Sequence, residues 1–198
     1  MRPHLHIVIP CYNEERIVES ISSVAQCTPI NNPIHITVVV NNSEHTEDTV
    51  RKQNNTSIDE LTGLQKQLPD WITLDWIKLL NVPSKIAGVG NARKAGMDYA
   101  YNLSNNKKES VIVCYDADCT VSINYLQSIE NTFRDSTIDG ATIYFEHPFA
   151  EENKAIVDYE LFLRHHYLGL RYTGYPYAYQ TIGSSMAVRA DTYKSFGE

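Results

Sequence analysis

The chain has 198 residues, a formal net charge of −7, 42% hydrophobic and 21% charged residues. That is room for one domain with a sizeable core. The acidic balance excludes the basic footprint of a nucleic-acid binder. No apolar run approaches membrane-spanning length, and the four cysteines (Cys11, Cys27, Cys114, Cys119) lack CxxC spacing and read as reduced, cytosolic thiols.

Residues 5–10, "LHIVIP", form an apolar run closed by proline and predict a strand. Ile17, Ile21 and Val24 then share one helical face. Asn13 is the expected cap, with Glu14 and Glu15 in the first turn. A second β-branched run spans 34–40. The polar segment from Ser43 opens a helix that Asn54 and Asn55 are expected to interrupt, and 71–80 alternates as a strand. From Gly90 a helix is predicted with Ala92, Ala95, Tyr99 and Leu103 facing inward. A buried strand at 111–115 and a helix over 122–134 follow. A strand is predicted over 140–147 and a long helix over 151–171, with Ile156, Tyr159, Leu163, Tyr167 and Leu170 near one face. A strand over 184–190 and a helical turn at 191–196 end the series. The Tyr- and Gly-rich segment 172–183 is the candidate ligand-covering loop.

Alternation of strands and helices from the first residues predicts an α/β fold with a mostly parallel sheet between helices. Ligands of such sheets sit at the carboxyl ends of the strands. Strand 111–115 runs directly into Asp116-Ala117-Asp118. In extended backbone, residues i and i+2 point the same way, so both carboxylates converge. Mutual repulsion would force a proton onto one of them, and a divalent cation removes that conflict. Oxygen ligands suit magnesium or manganese, with substrate phosphates completing the shell. The plainer alternative is a capping Asp116 and a solvated Asp118.

Four segments at successive strand ends, "IPCYNEE", "VVVNNSEHTEDT", "GVGNARKAGMDYA" and "YDAD", together with the late "GSSMAVRADTYKSFG", resemble the family 2 glycosyltransferases of the GT-A fold. The resemblance covers almost the whole chain. It implies a Rossmann-like sheet and transfer of a sugar from a nucleotide-sugar donor, a UDP-sugar by preference, with inversion, to a saccharide or lipid-linked acceptor in glycan or polysaccharide synthesis. Pro10, Tyr12 and Glu14 match the segment that wraps the base. Asn41 matches a position where the family often has Asp reading the uracil N3–H. An amide oxygen still accepts that bond but carries no charge. Lys85 or Arg93 approaches the base or diphosphate, and Lys94 is a solvated helix residue. Asp116 approaches the ribose and the metal, and Asp118 is the direct ligand of manganese or magnesium.

The same resemblance divides the chain, residues 1–198, into a nucleotide-sugar-binding half (1–120) and a partial acceptor-binding half (121–198). The family's carboxylate base lies beyond the segment that "KSFGE" begins, and Glu198 falls too early to be it. A chain truncated before its catalytic base is therefore expected. It would bind donor but transfer poorly, leave apolar surface open to homo-oligomer formation, and be cytoplasmic, with room for peripheral association at the inner membrane face through the later region. His147, Glu146 and Arg189 stand as weaker site candidates, His147 favoured as structural. The adjacent His165 and His166 diverge on a helix and make a poor metal pair. Two alternatives to a transferase are a nucleotide-sugar binding module without transfer activity and a sugar nucleotidyltransferase.

Overall fold

The computed structural model describes residues 2–147 and 154–196. The order of elements is β1 (His4–Cys11), α1 (Ile17–Ala25), β2 (Ile34–Ser43), α2 (Asp48–Leu64), β3 (Ile72–Val82), α3 (Val89–Leu103), β4 (Ser110–Cys114), α4 (Tyr125–Phe133), β5 (Gly140–Thr142), α5 (Lys154–Tyr172), β6 (Met186–Arg189) and α6 (Ala190–Ser195). They build a six-stranded sheet in the order β3-β2-β1-β4-β6-β5. β1 to β4 run parallel, β6 is antiparallel to β4, and β5 is antiparallel to β6. The expected mostly parallel sheet is thus the observed one.

Strand alternation separates two cores. Leu5, Ile7, Ile9 and Cys11 of β1 join Ile36, Val38 and Val40 of β2 beneath α1, α2 and α4. Val8 and the β4 residues Ile112 and Cys114 face α3 and α6 through Met97, Ala100, Ala190 and Tyr193. Both faces are covered, which is why the strands read as continuous apolar runs. Gly96 explains how closely α3 can lie. A Cβ there would meet Val8 Cγ1 at 2.3 Å and Val39 Cγ2 at 3.0 Å.

Several local expectations are corrected. Asn13 does not cap α1. It adopts φ 52°, and Arg16 is the N-cap without a side-chain bond. Glu14 and Glu15 precede the helix, and Glu19 is the acid in its first turn. α2 runs uninterrupted through Asn54, whose side-chain amide is bonded at both its oxygen and its nitrogen, as described below. The buried face of α3 is Ala92, Gly96, Met97 and Ala100, rotated from the expected one because glycine permits the closest approach, and Leu103 is exposed. β5 stops at Thr142 instead of 147, and beyond it the side chains of Glu146 and His147 bond to Arg164 and Glu160 of α5. α5 buries only Glu160, and Tyr159 is exposed. The expected start of that helix at 151 lies outside the described residues, as does Glu198. Among the described residues, no helix is long and apolar enough to cross a membrane.

The far end of the sheet holds a polar cluster. His6 stacks on His35 at 5.9 Å, and its Nε2 bonds with Ser104 Oγ at 3.2 Å. Burial first, then the charges of His35, His4 and Lys107, lowers the His6 pKa to about 4. A lowered native pKa means the unfolded chain takes up the proton first. The stability His6 contributes is therefore complete above pH 6.5 and is lost as pH falls toward 4. The loss at pH 5 is about 2 kcal/mol. Urea midpoints at pH 7.5 and 5 should differ more for the wild type than for His6→Gln. Equal differences would remove His6 as the cause.

Candidate functional site

The carboxyl ends of β1, β2 and β4 and the N-terminus of α3 surround a cleft of about 460 Å³. Pro10, Tyr12, Glu14, Asn41, Asp116 and Asp118 line it, so six of the residues singled out in the sequence meet in one place. Ser43, Thr46, Ser84, Ala87, Gly88, Val89 and Ala117 complete the wall.

Each wall is braced from behind. After β1 the backbone turns through the left-handed Asn13, which leaves the Tyr12 ring 52% exposed at the cleft. Asn54, buried mid-helix in α2, accepts the Asn13 N–H on Oδ1 (2.9 Å) and donates Nδ2 to the Asn41 carbonyl (3.0 Å). One side chain therefore fixes the ends of β1 and β2 together. Gln53 and Ser57 both donate to the Glu14 carbonyl. Asn41 is buried at the end of β2, and Asn42 follows it in the same strand. The Asn41 amide nitrogen donates to the Cys11 carbonyl at 3.1 Å. Only the NH₂ can face a carbonyl, so the amide oxygen is the group left for a ligand.

The next loop is tied by Arg51, which donates to the carbonyls of Ser43, Glu44 and Thr46. Thr46 Oγ1 accepts the Ser43 N–H at 2.9 Å. Glu44 reaches over to accept the Ser84 N–H at 3.1 Å, which draws loop 83–88 to the cleft. Gly88 begins α3 with φ 137°, a conformation suited to glycine. No side chain caps that end, so the first N–H groups of α3 open toward the cleft, a favourable position for an anion. Lys85 stands on this loop, but it is not among the lining residues.

The fourth wall is the Asp116-Ala117-Asp118 turn. Arg93 Nη2 donates to Asp116 Oδ1 at 2.9 Å. Arg93 Nε is buried with no partner among the described residues, and Gly183 leaves room for the guanidinium, since a Cβ there would sit 2.6 Å from Nη1. Arg93 therefore acts from beneath the cleft, as a support for Asp116. Asp118 is exposed, and the Cys119 thiol lies 3.5 Å from its Oδ1. The turn itself is held by Tyr115, whose hydroxyl donates to the Cys119 carbonyl (2.6 Å), and by Ser23, which accepts the Val121 N–H.

Among the described residues no group of three or more His, Cys, Asp or Glu gathers as a metal cage. Two carboxylates on one open turn fit a hard cation that keeps most of its shell for phosphates and water. They do not fit a site built wholly from protein.

The weaker candidates stand elsewhere. The ring of His147 bonds through Nδ1 to Glu160 Oε1 at 2.6 Å, and its N–H meets the same oxygen at 2.9 Å. Burial would raise the Glu160 carboxyl, but those bonds and Arg164 outweigh it and hold the pKa below the ordinary range. Glu146 accepts from the Tyr144 hydroxyl and pairs with Arg164. His165 and His166 are exposed. Lys94 pairs with Asp98 on the surface. Arg189 is not a ligand contact: it is buried and donates to the carbonyls of Lys108, Phe133, Asp135 and Ile138. Sequence reasoning missed Asn54 and Arg51. A polar residue on the Ile58–Leu61 face of α2 was the available sign for Asn54.

Comparison with known proteins bears on this geometry. Two structures of S. aureus TarS residues 1–349 superpose on the chain. The complex with UDP-GlcNAc has a TM-score of 0.59 at 13% identity, covering 98% of this chain and 47% of that one. The complex with UDP has a TM-score of 0.58 at 12% identity, covering 98% and 48%. The chain thus spans about half the length of these structures, and at such identities the likeness is one of fold, the GT-A fold. A search of curated proteins finds no match. The family model described as glycosyl transferase family 2 matches residues 6–194, and with nearly the whole chain so matched, the protein belongs to that family.

Proposed function

We propose that the chain is the catalytic domain of a glycosyltransferase of hexosyltransferase type. It would take a UDP-sugar in the cleft at the ends of β1, β2 and β4 and pass the sugar, with inversion, to a saccharide or lipid-linked acceptor. Residues 1–120 form the donor half and 121–198 contribute to the acceptor half. One observation carries the reading: an exposed aromatic ring, a free amide acceptor, an uncapped helix N-terminus and two carboxylates share one cleft.

Those four features match the parts of the donor. Tyr12 offers a face to the base and Asn41 Oδ1 an acceptor to the uracil N3–H. The N–H groups at Gly88 and Val89 suit the diphosphate. Asp118, with Asp116, would hold manganese or magnesium, which would supply Lewis-acid stabilisation of the departing nucleoside diphosphate. Arg93 keeps Asp116 aimed while removing part of the carboxylate repulsion. The UDP and UDP-GlcNAc complexes of TarS support a uridine donor for a protein of the same fold.

Calorimetry with UDP, GDP and ADP, each with and without manganese, tests the assignment. UDP should bind tightest, and manganese should strengthen it. Tightest binding of GDP would overturn the uridine assignment.

A further inference from the structure

A second cavity, of about 390 Å³, lies on the same rim of the sheet. The register fixes this placement: Cys114 at the end of β4 pairs with Met186, which pairs with Thr142 at the end of β5. The Asp116 turn and the cavity beside Thr142 therefore open at the same edge, separated by β6. Tyr144, Tyr167, Tyr179, Gln180, Arg164 and Arg171 form the polar and aromatic part of its wall.

The two arginines differ. Arg164 is committed to acids, with Nη2 at 3.3 Å from Glu160 and 3.5 Å from Glu146. Arg171 forms no ion pair among the described residues. Its Nε donates to the Ala178 carbonyl at 3.1 Å, and its guanidinium lies 5.6 Å from the centre of the Tyr179 ring. Tether and ring together orient the fork, and its terminal nitrogens remain available as paired donors. A fixed guanidinium fork matches a phosphate or carboxylate. The tyrosine faces beside it suit the apolar faces of a sugar or polyol. A cavity of this volume holds a ligand of that size.

We propose that this cavity is a subsite for the acceptor and that the acceptor is a sugar or polyol bearing an anionic group, phosphate or carboxylate, held by Arg171. Calling the occupant an acceptor rests on the transferase reading; the anion preference does not.

The test is ligand-observed NMR on the chain with glycerol 3-phosphate, glucuronate, glycerol and glucose, run with and without saturating UDP and manganese. Binding of glycerol 3-phosphate, of glucuronate or of both about tenfold tighter than their neutral counterparts is expected, from the value of one charged hydrogen-bonded pair. Which of them binds identifies the anion. Arg171→Gln should abolish the preference. Gln180→Glu, which keeps shape and tether but adds a negative charge to the wall, should weaken anion binding by about tenfold. UDP affinity of both variants should stay at the wild-type value. Equal binding of neutral and anionic probes, no saturable anionic binding, or unchanged anion binding in both variants would overturn the proposal. Failure of UDP to bind the wild type would instead overturn the donor assignment and leave the anion result standing.

Discussion

Asp118→Asn is expected to remove the manganese enhancement of UDP binding while leaving the fold intact. Asp118 is exposed at the end of the β4 turn, and its side-chain contact is the neighbouring Cys119 thiol. No packing is lost when its charge is removed. Its carboxylate stands two positions from that of Asp116, and Arg93 pairs with Asp116 alone. Neutralising one charge relieves repulsion, so the metal-free variant should melt at the same temperature or slightly higher. UDP affinity in manganese should fall by about tenfold or more, roughly 1.4 kcal/mol, to the value seen in chelator. Asp116→Asn is a poorer probe, because it also releases Arg93. Calorimetry with and without manganese reads the effect. An unchanged enhancement in Asp118→Asn would move the cation elsewhere.

Arg189→Met should instead damage the fold and spare the site. The Arg189 guanidinium donates to four backbone carbonyls, at 2.7 Å to Ile138, 2.8 Å to Lys108, 2.9 Å to Phe133 and 2.8 Å to Asp135. It thereby closes the end of α4 and the segment before β4 onto β6, with its charge over the Phe133 ring at 5.4 Å. Methionine keeps the apolar stem and supplies no donor. Charged hydrogen bonds contribute about 1.5–3 kcal/mol each, and orphaned buried carbonyls add a desolvation cost. Since these bonds share one group and do not add fully, a loss of about 3–5 kcal/mol is expected in chemical denaturation. UDP affinity of the folded fraction should be unchanged. A loss below about 1 kcal/mol would show that the carbonyls find other partners, and a large loss of UDP affinity in a stable variant would restore Arg189 as a phosphate contact.

Arg189 also shows how far a sequence carries. Its place in a family-like segment is visible in the chain, but its role is set by four carbonyls from residues 108 to 138, which no local pattern encodes. The strands β1, β2 and β4 were legible because burial on both faces leaves continuous apolar runs. Pro10, Tyr12, Glu14, Asn41, Asp116 and Asp118 were legible because ligands gather where such runs end. Ser43, Thr46 and Ser84 were not, since Arg51 and Glu44 bring their loops to the cleft through side-chain bonds between distant segments. Apolar periodicity puts Ala95, Tyr99 and Leu103 on the inner face of α3, whereas the missing Cβ of Gly96 makes that residue the point of contact. Asn54 looked like a helix breaker because an asparagine amid helix competes with the backbone. In the fold, both ends of its amide are occupied by Asn13 and Asn41.

The central claim is that one cleft holds the nucleotide and the cation together. Paramagnetic broadening by manganese in the presence of UDP locates the cation directly. Backbone amide signals of Tyr12, Gly88 and Ala117 should disappear in the wild type and persist in Asp118→Asn, while that of His35, at the opposite end of the sheet, stays sharp in both. Broadening centred on the His4–His6–His35 end of the sheet or on α5, with the Asp116–Asp118 turn unaffected, would contradict the account.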